Sequence, residues 1–147
     1  MHLVAVASRA DERKFIEFPV LLYRNHRTWI RPLDSDVKAV FDPEANKAFE
    51  HGDCRRWLLE DNGRTIGRIA AFANRHTRGN GKGTLSAGIG FFECIDDQRA
   101  ANLLFDAARE WLSSRGATYM DGPINFGRRD KWWGLLTKGF DLEPNYQ

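Results

Sequence analysis

Glycines, amide, cations and indoles crowd into one stretch: Gly122-Pro123-Ile124-Asn125-Phe126-Gly127-Arg128-Arg129-Asp130-Lys131-Trp132-Trp133-Gly134. Each type has a separate use in binding. The glycines, Gly122 among them, permit close backbone approach. Asn125 both donates and accepts hydrogen bonds, and Arg128, Arg129 and Lys131 can hold an anion. Trp132 and Trp133 offer flat apolar faces. Together these residues suit a ligand with an anionic part and an apolar part. The plainer reading is a capped turn, with the two indoles packed inward and the cations solvated.

Other chemistries find less support. His2, His26, His51 and His76 are scattered, with no i, i+4 pair and no spacing that would hold zinc, so no metal is expected. Cys54 and Cys94 have no CxxC partner and read as two free, mostly buried thiols. Neither a Walker loop nor a Gly-x-Ser-x-Gly elbow is present. Arg24, His26, Arg27 and Arg31, with Trp29 among them, form one basic cluster, and Arg64, Arg68, Arg75, Arg78 and Lys82 form a second. Both resemble a phosphate-contacting surface. With 22 basic and 20 acidic residues the net charge is only +2, so nucleic acid is not the expected partner. No apolar run approaches the ~20 residues that span a bilayer, and residues 1–8 lack a basic leader. A cytoplasmic protein with no membrane partner is the expectation.

The elements that must position the dense stretch follow from periodicity. Residues 3–7 read as a strand. Asp11 can cap a helix that starts at Glu12 and carries Phe15, Phe18 and Leu22 on one face, with a kink or break at Pro19. Residues 25–33 read as loop. Asp34 or Ser35 opens a short helix bearing Val37, Val40 and Phe41. Pro43 starts another that runs through Ala48 and Phe49 and ends at His51-Gly52. Strands over 55–60 and 65–74 flank an Asn62-Gly63 hairpin turn, with Gly67 marking a bulge. After a loop over 75–83, a third long strand spans 84–95, with Leu85, Ala87, Ile89 and Phe91 on one face. Asp96 or Asp97 then caps the clearest helix, whose stripe is Ala100, Leu103, Leu104, Ala107, Ala108, Trp111 and Leu112, and Gly116 stops it. Thr118 to Asp121 reads as a strand ended by Gly122-Pro123. A strand, a helix and a strand imply a right-handed crossover and a parallel pair. A further helix is expected over 130–138, stopped by Gly139. The whole is one mixed α/β (α+β) sheet with an antiparallel three-strand meander and helices on both faces.

Phe15-Ile16-Glu17-Phe18-Pro19, Gly67-Arg68-Ile69-Ala70-Ala71, Gly90-Phe91-Phe92-Glu93-Cys94-Ile95-Asp96-Asp97, Gly122-Pro123-Ile124-Asn125, and Gly134-Leu135-Leu136 with Gly139-Phe140-Asp141 resemble a bacterial family of acetyltransferase-like proteins. That family has the GCN5-related N-acetyltransferase (GNAT) fold. The resemblance spans nearly the whole chain and implies a single acyltransferase-like domain, 1–147, truncated at its C-terminus. The missing part or another chain would complete the sheet. It implies an N-acyltransferase that moves an acyl group from acetyl-CoA or another acyl-CoA to a small amine. Phe91, Phe92, Cys94 and Ile95 would lie along the cofactor, with Arg99 near its phosphates. Gly122, Pro123, Arg128, Lys131 and Trp132 would bind substrate. Glu93 and Asn125 are the candidate catalytic residues, Glu93 as the base that acyl transfer to an amine needs. No Tyr falls in the expected last helix, so the general acid is unassigned. Family members carry a glycine-containing turn at the pyrophosphate, whereas this chain has Asp96-Asp97. That turn favours a binding module that kept the sheet and lost the phosphate site. An aminoacyl-tRNA-dependent transferase is a third reading.

Overall fold

The computed structural model describes residues 1–75, 85–126 and 138. Its elements in chain order are β1 (His2–Ala5), α1 (Arg9–Leu22), α2 (Asp34–Val40), a 3-10 turn (Lys47–Glu50), β2 (Gly52–Asp61), β3 (Arg64–Asn74), β4 (Ser86–Cys94) and α3 (Gln98–Ser114). The strands form one antiparallel sheet in the order β1-β2-β3-β4. Asn62 and Gly63, with φ of 48° and 75°, make the tight β2–β3 turn expected of an Asn-Gly pair. The expected strand at 118–121 shrinks to a single parallel bridge between Gly88 and Asp121. Its direction is as anticipated, but its extent is one residue pair.

β2 and β3 are covered on both sides, which explains their nearly continuous apolar sequences. On one face, α3 lays Ala100, Leu104, Ala108, Trp111 and Leu112 against Trp57, Leu59, Ile69, Ala71, Ala87 and Ile89. This is the stripe read from the sequence, and Gly116 ends the helix with φ +87°. On the other face, Phe15, Val37 and Phe41 meet Leu58, Ala70, Phe72, Phe91 and Phe126.

Three local expectations are corrected. Ser8, not Asp11, caps α1. The Ser8 hydroxyl accepts from the Asp11 N–H at 3.1 Å, and the Asp11 carboxylate accepts from the Ser8 N–H at 2.9 Å. That reciprocal box holds the Asp11 carboxyl below its ordinary value, chiefly through its hydrogen bonds to Ser8. Second, the region after Pro43 forms turns rather than a helix, and regular structure there is limited to the 3-10 turn, capped by the Asn46 side chain. Third, Pro19 does not divide α1, which runs as one helix of 14 residues with Pro19 buried inside it. The expected helix at 130–138 lies outside the described residues, Lys138 apart.

Candidate functional site

Strand β4 changes sides partway along. Arg68 faces Glu93 and Ala70 faces Gly90, so Phe91 and Phe92 together oppose the single residue Ile69. This is a β-bulge, and Phe91 takes φ +52° to make it. An uninterrupted strand would keep Phe91 on the side of Ala87 and Ile89, which is what alternation predicts. The extra residue reverses the parity instead. Phe91 joins Phe15, Phe41 and Phe72 on the α1 side, and Phe92 stacks on Phe105 of α3 with ring centroids 4.4 Å apart. Glu93 therefore emerges on the α1 side, directly across from Arg68.

Arg68 is 5% exposed and is the buried charge that organises this face. Its Nε donates to Glu93 Oε2 at 2.5 Å, and its Nη1 donates to the Phe15 carbonyl at 2.5 Å. The guanidinium also lies 4.8 Å from the Phe15 ring centroid. Pro19 explains why that carbonyl can accept. A proline has no N–H, so the oxygen four residues earlier in its helix loses its usual donor. That residue is Phe15. The proline thus frees an acceptor inside a continuous helix, and Arg68 takes it up while holding Glu93 with its other edge. Glu93 Oε1 accepts no hydrogen bond among the described residues. Tyr23, at the end of α1, feels the charges of Glu93 and Arg68. Burial first, and Glu93 second, push its hydroxyl above the ordinary tyrosine value, so it stays protonated at neutral pH. Pro19→Ala restores an N–H that competes for the Phe15 oxygen. Thermal unfolding is expected to show no gain in stability from the better helix former, because the buried Arg68 Nη1 is left competing for its acceptor. A clear rise in melting temperature would show that the anchor is dispensable.

The segment after the parallel bridge passes close over β4. Ile89 donates to Asp121 O and accepts from the Ile124 N–H, both at 2.8 Å. A Cβ on Gly90 would lie 2.0 Å from the Ile124 carbonyl oxygen, so only glycine allows this approach. Gly90→Ala should therefore displace the 121–126 segment and cost about 1–3 kcal/mol in denaturant unfolding, the range for overpacking. Less than half of that would mean the segment yields freely. Beyond Ile89 no strand pairs with the outer edge of β4 among the described residues. Ile95 donates its N–H to Ile66 O at 2.9 Å. By strand alternation Glu93 also turns its backbone toward β3, and Phe92 and Cys94 turn theirs toward the outer edge of β4.

The remaining candidates divide. Gly122 and Pro123 are in the bridging segment, joined by a cis peptide bond. Asn125 follows them, and its side-chain oxygen accepts from the Phe126 N–H at 2.8 Å. Arg99 is exposed in the first turn of α3, where its charge helps to keep the Asp61 carboxyl low after the Met1 ammonium has done most of that work. Arg128, Lys131 and Trp132, with Arg129 and Trp133, lie outside the described residues. Sequence reasoning missed Arg68 as a site residue. The one available signal was the Phe15/Pro19 spacing of four, which marks a freed carbonyl. Neither cysteine is a ready nucleophile, because burial pushes Cys54 up to about 11 and raises Cys94 as well.

The GNAT fold implies a CoA-type cofactor, with its diphosphate at the start of α3. The residues there do not fit one. Asp97 is the N-cap, and its carboxylate already accepts from the Ala100 N–H at 2.9 Å. Asp96 stands exposed beside it. An incoming diphosphate would meet two negative charges and an amide already engaged.

Comparison with known proteins bears on this geometry. No family model matches the chain. A bacterial ceramide synthase of Caulobacter vibrioides is 33% identical over 144 residues, covering 98% of this chain and 37% of its own length. Protein YghO of Escherichia coli is 33% identical over 138 residues, covering 93% and 34%. The chain thus spans about a third of the length of these two curated relatives. Among solved structures, a tandem GNAT protein from the clavulanic acid biosynthesis pathway matches with TM-score 0.61 at 15% identity, over 81% of this chain and 35% of that one. A predicted acetyltransferase from Clostridium acetobutylicum, solved with acetyl-CoA, matches with TM-score 0.60 at 14% identity, over 92% and 96%. The chain has a GNAT-like fold.

Proposed function

We propose that this chain is the portion of an N-acyltransferase that carries the base, and that the acceptor is the primary amine of a long-chain amino alcohol. The observation that carries this reading is the 33% identity to a ceramide synthase along 98% of the chain. A ceramide is the amide of such a base with a fatty acid, so its formation is acyl transfer to an amine. Glu93 supplies the chemistry that this requires. As the amine attacks the acyl carbonyl, a C–N bond forms and the bond to the leaving group breaks. Glu93 takes the proton the nitrogen sheds, and Arg68 keeps the carboxylate aimed. The proton then passes from Glu93 to the departing group, which restores the carboxylate. The main chain of Phe92 and Cys94 offers an extended acyl donor an edge to pair with.

The test is to incubate full-length protein with sphinganine and a fatty acyl thioester, supplied in parallel as the CoA thioester and as an N-acetylcysteamine thioester that carries no diphosphate, and to follow the N-acyl product by mass spectrometry. A short polar amine serves as the alternative acceptor. The reading expects amide on sphinganine, and product confined to the polar amine would overturn it. The Asp97 cap favours a second reading, a binding module of the same fold that has lost diphosphate recognition. Under that reading acetyl-CoA at millimolar concentration leaves the melting temperature unchanged and no acceptor is acylated.

A further inference from the structure

Leu33, Leu21 and Ile30, exposed by 67%, 64% and 51%, are the most exposed large apolar side chains among the described residues. All three fall in one stretch, from the last turn of α1 to the cap of α2. Arg24 and Arg27 stand exposed between them and make no ion pair among the described residues, while Arg31 is held by Asp34 at 2.8 Å. No acidic residue occurs from Phe18 through Leu33. Tyr23 and Trp29 are half-buried beneath, with ring centroids 5.2 Å apart and His26 edge-on to Tyr23 at 5.7 Å. Leu33 is itself the N-cap of α2 and makes no side-chain cap bond there. A Ser, Thr, Asp or Asn would serve the helix better at that position, so local stability does not account for the leucine.

We propose that residues 21–33 form a docking surface for an anionic lipid bilayer. Aliphatic tips flanked by basic residues, with Trp and Tyr at the boundary, match the layered polarity of a membrane interface. A nucleic acid would engage the arginines and the indole but leave Leu21, Ile30 and Leu33 in water. Another part of the same protein would cover the leucines without needing a stretch free of carboxylates. No helix of the described residues is long and apolar enough to cross a membrane. The sequence expectation of no membrane partner rested on the lack of a spanning run, which surface docking does not need. The proposal stands apart from the acyl-transfer reading, because binding is measured with no substrate present.

The test is co-sedimentation of the full-length protein with phosphatidylcholine vesicles, with and without phosphatidylglycerol, at low and high salt. Binding is expected with phosphatidylglycerol and is expected to weaken as salt rises. The pair Arg24→Gln and Arg27→Gln should weaken it by roughly tenfold or more, from the contribution of each basic residue near an anionic surface. Leu21→Gln with Leu33→Ser should weaken it comparably, and Leu33→Ser adds a cap to α2, so circular dichroism should stay native. Equal binding to neutral vesicles, native binding by either variant pair, or no vesicle binding by the intact protein would each overturn the proposal. Retention by an RNA oligonucleotide in place of vesicles would overturn it in favour of a nucleic acid.

Discussion

Glu93→Gln is expected to lower kcat for amide formation a hundred- to ten-thousandfold, the usual contribution of a positioned general base, with little change in KM. Glutamine preserves the shape of the side chain and an oxygen that can accept from Arg68 Nε. It loses the ability to take a proton from the amine. It also leaves the buried Arg68 charge without its counter-ion, which should cost about 3 kcal/mol of stability, the low end of the range for breaking a buried pair because the hydrogen bond is kept. Activity must therefore be measured where circular dichroism shows the variant folded. A folded Glu93→Gln protein with native kcat would reduce Glu93 to a structural brace and remove the base from the proposed mechanism.

Arg68→Ala should be the most destabilising single change in the described site. Arg68 links three elements: β3, which carries it, β4 through Glu93, and α1 through the Phe15 carbonyl. Removing one partner of a buried ion pair leaves the other uncompensated, at a typical cost of about 3–5 kcal/mol. The Phe15 oxygen also loses the donor that replaced the missing Pro19 N–H. Arg68→Met combined with Glu93→Gln removes both charges and keeps much of the volume. That double variant should recover a large part of the loss in urea unfolding, because the two sites are in direct contact and their effects do not add. If Arg68→Ala costs less than about 1 kcal/mol, the guanidinium is solvated in solution and the brace described here does not operate.

Much of the framework was legible from local patterns. The α3 stripe, its Gly116 stop, the Asn62-Gly63 hairpin and the bulge near Gly67 all depend on neighbours within one element or across one tight turn. The bulge is visible in the register, where Leu59 faces Gly67 and Glu60 faces Thr65, leaving Ile66 extra. The cap of α3 was equally local: the sequence offers Asp96 or Asp97, and the folded chain uses Asp97. The Asp11 error was also local: Asp11 does belong to the cap of α1, as the partner of Ser8 three residues earlier.

The site itself was only half legible. Glu93 could be named as a carboxylate near a strand end, but its direction could not. Strand alternation predicts that it shares the face of Ile89. The Phe91–Phe92 bulge sends it to the other side, and a bulge depends on how β4 aligns with β3, a pairing between distant parts of the chain. The significance of Pro19 was hidden for the same reason. The sequence shows a proline that removes a hydrogen bond, but only the packing of α1 on β3 reveals that Arg68 supplies the replacement. The sequence by itself determined most of the described elements, their order, and that a carboxylate would stand near the end of β4. The tertiary structure decided which face that carboxylate takes and what holds it there, because register and the rescue of a freed carbonyl are set by residues far apart in the chain.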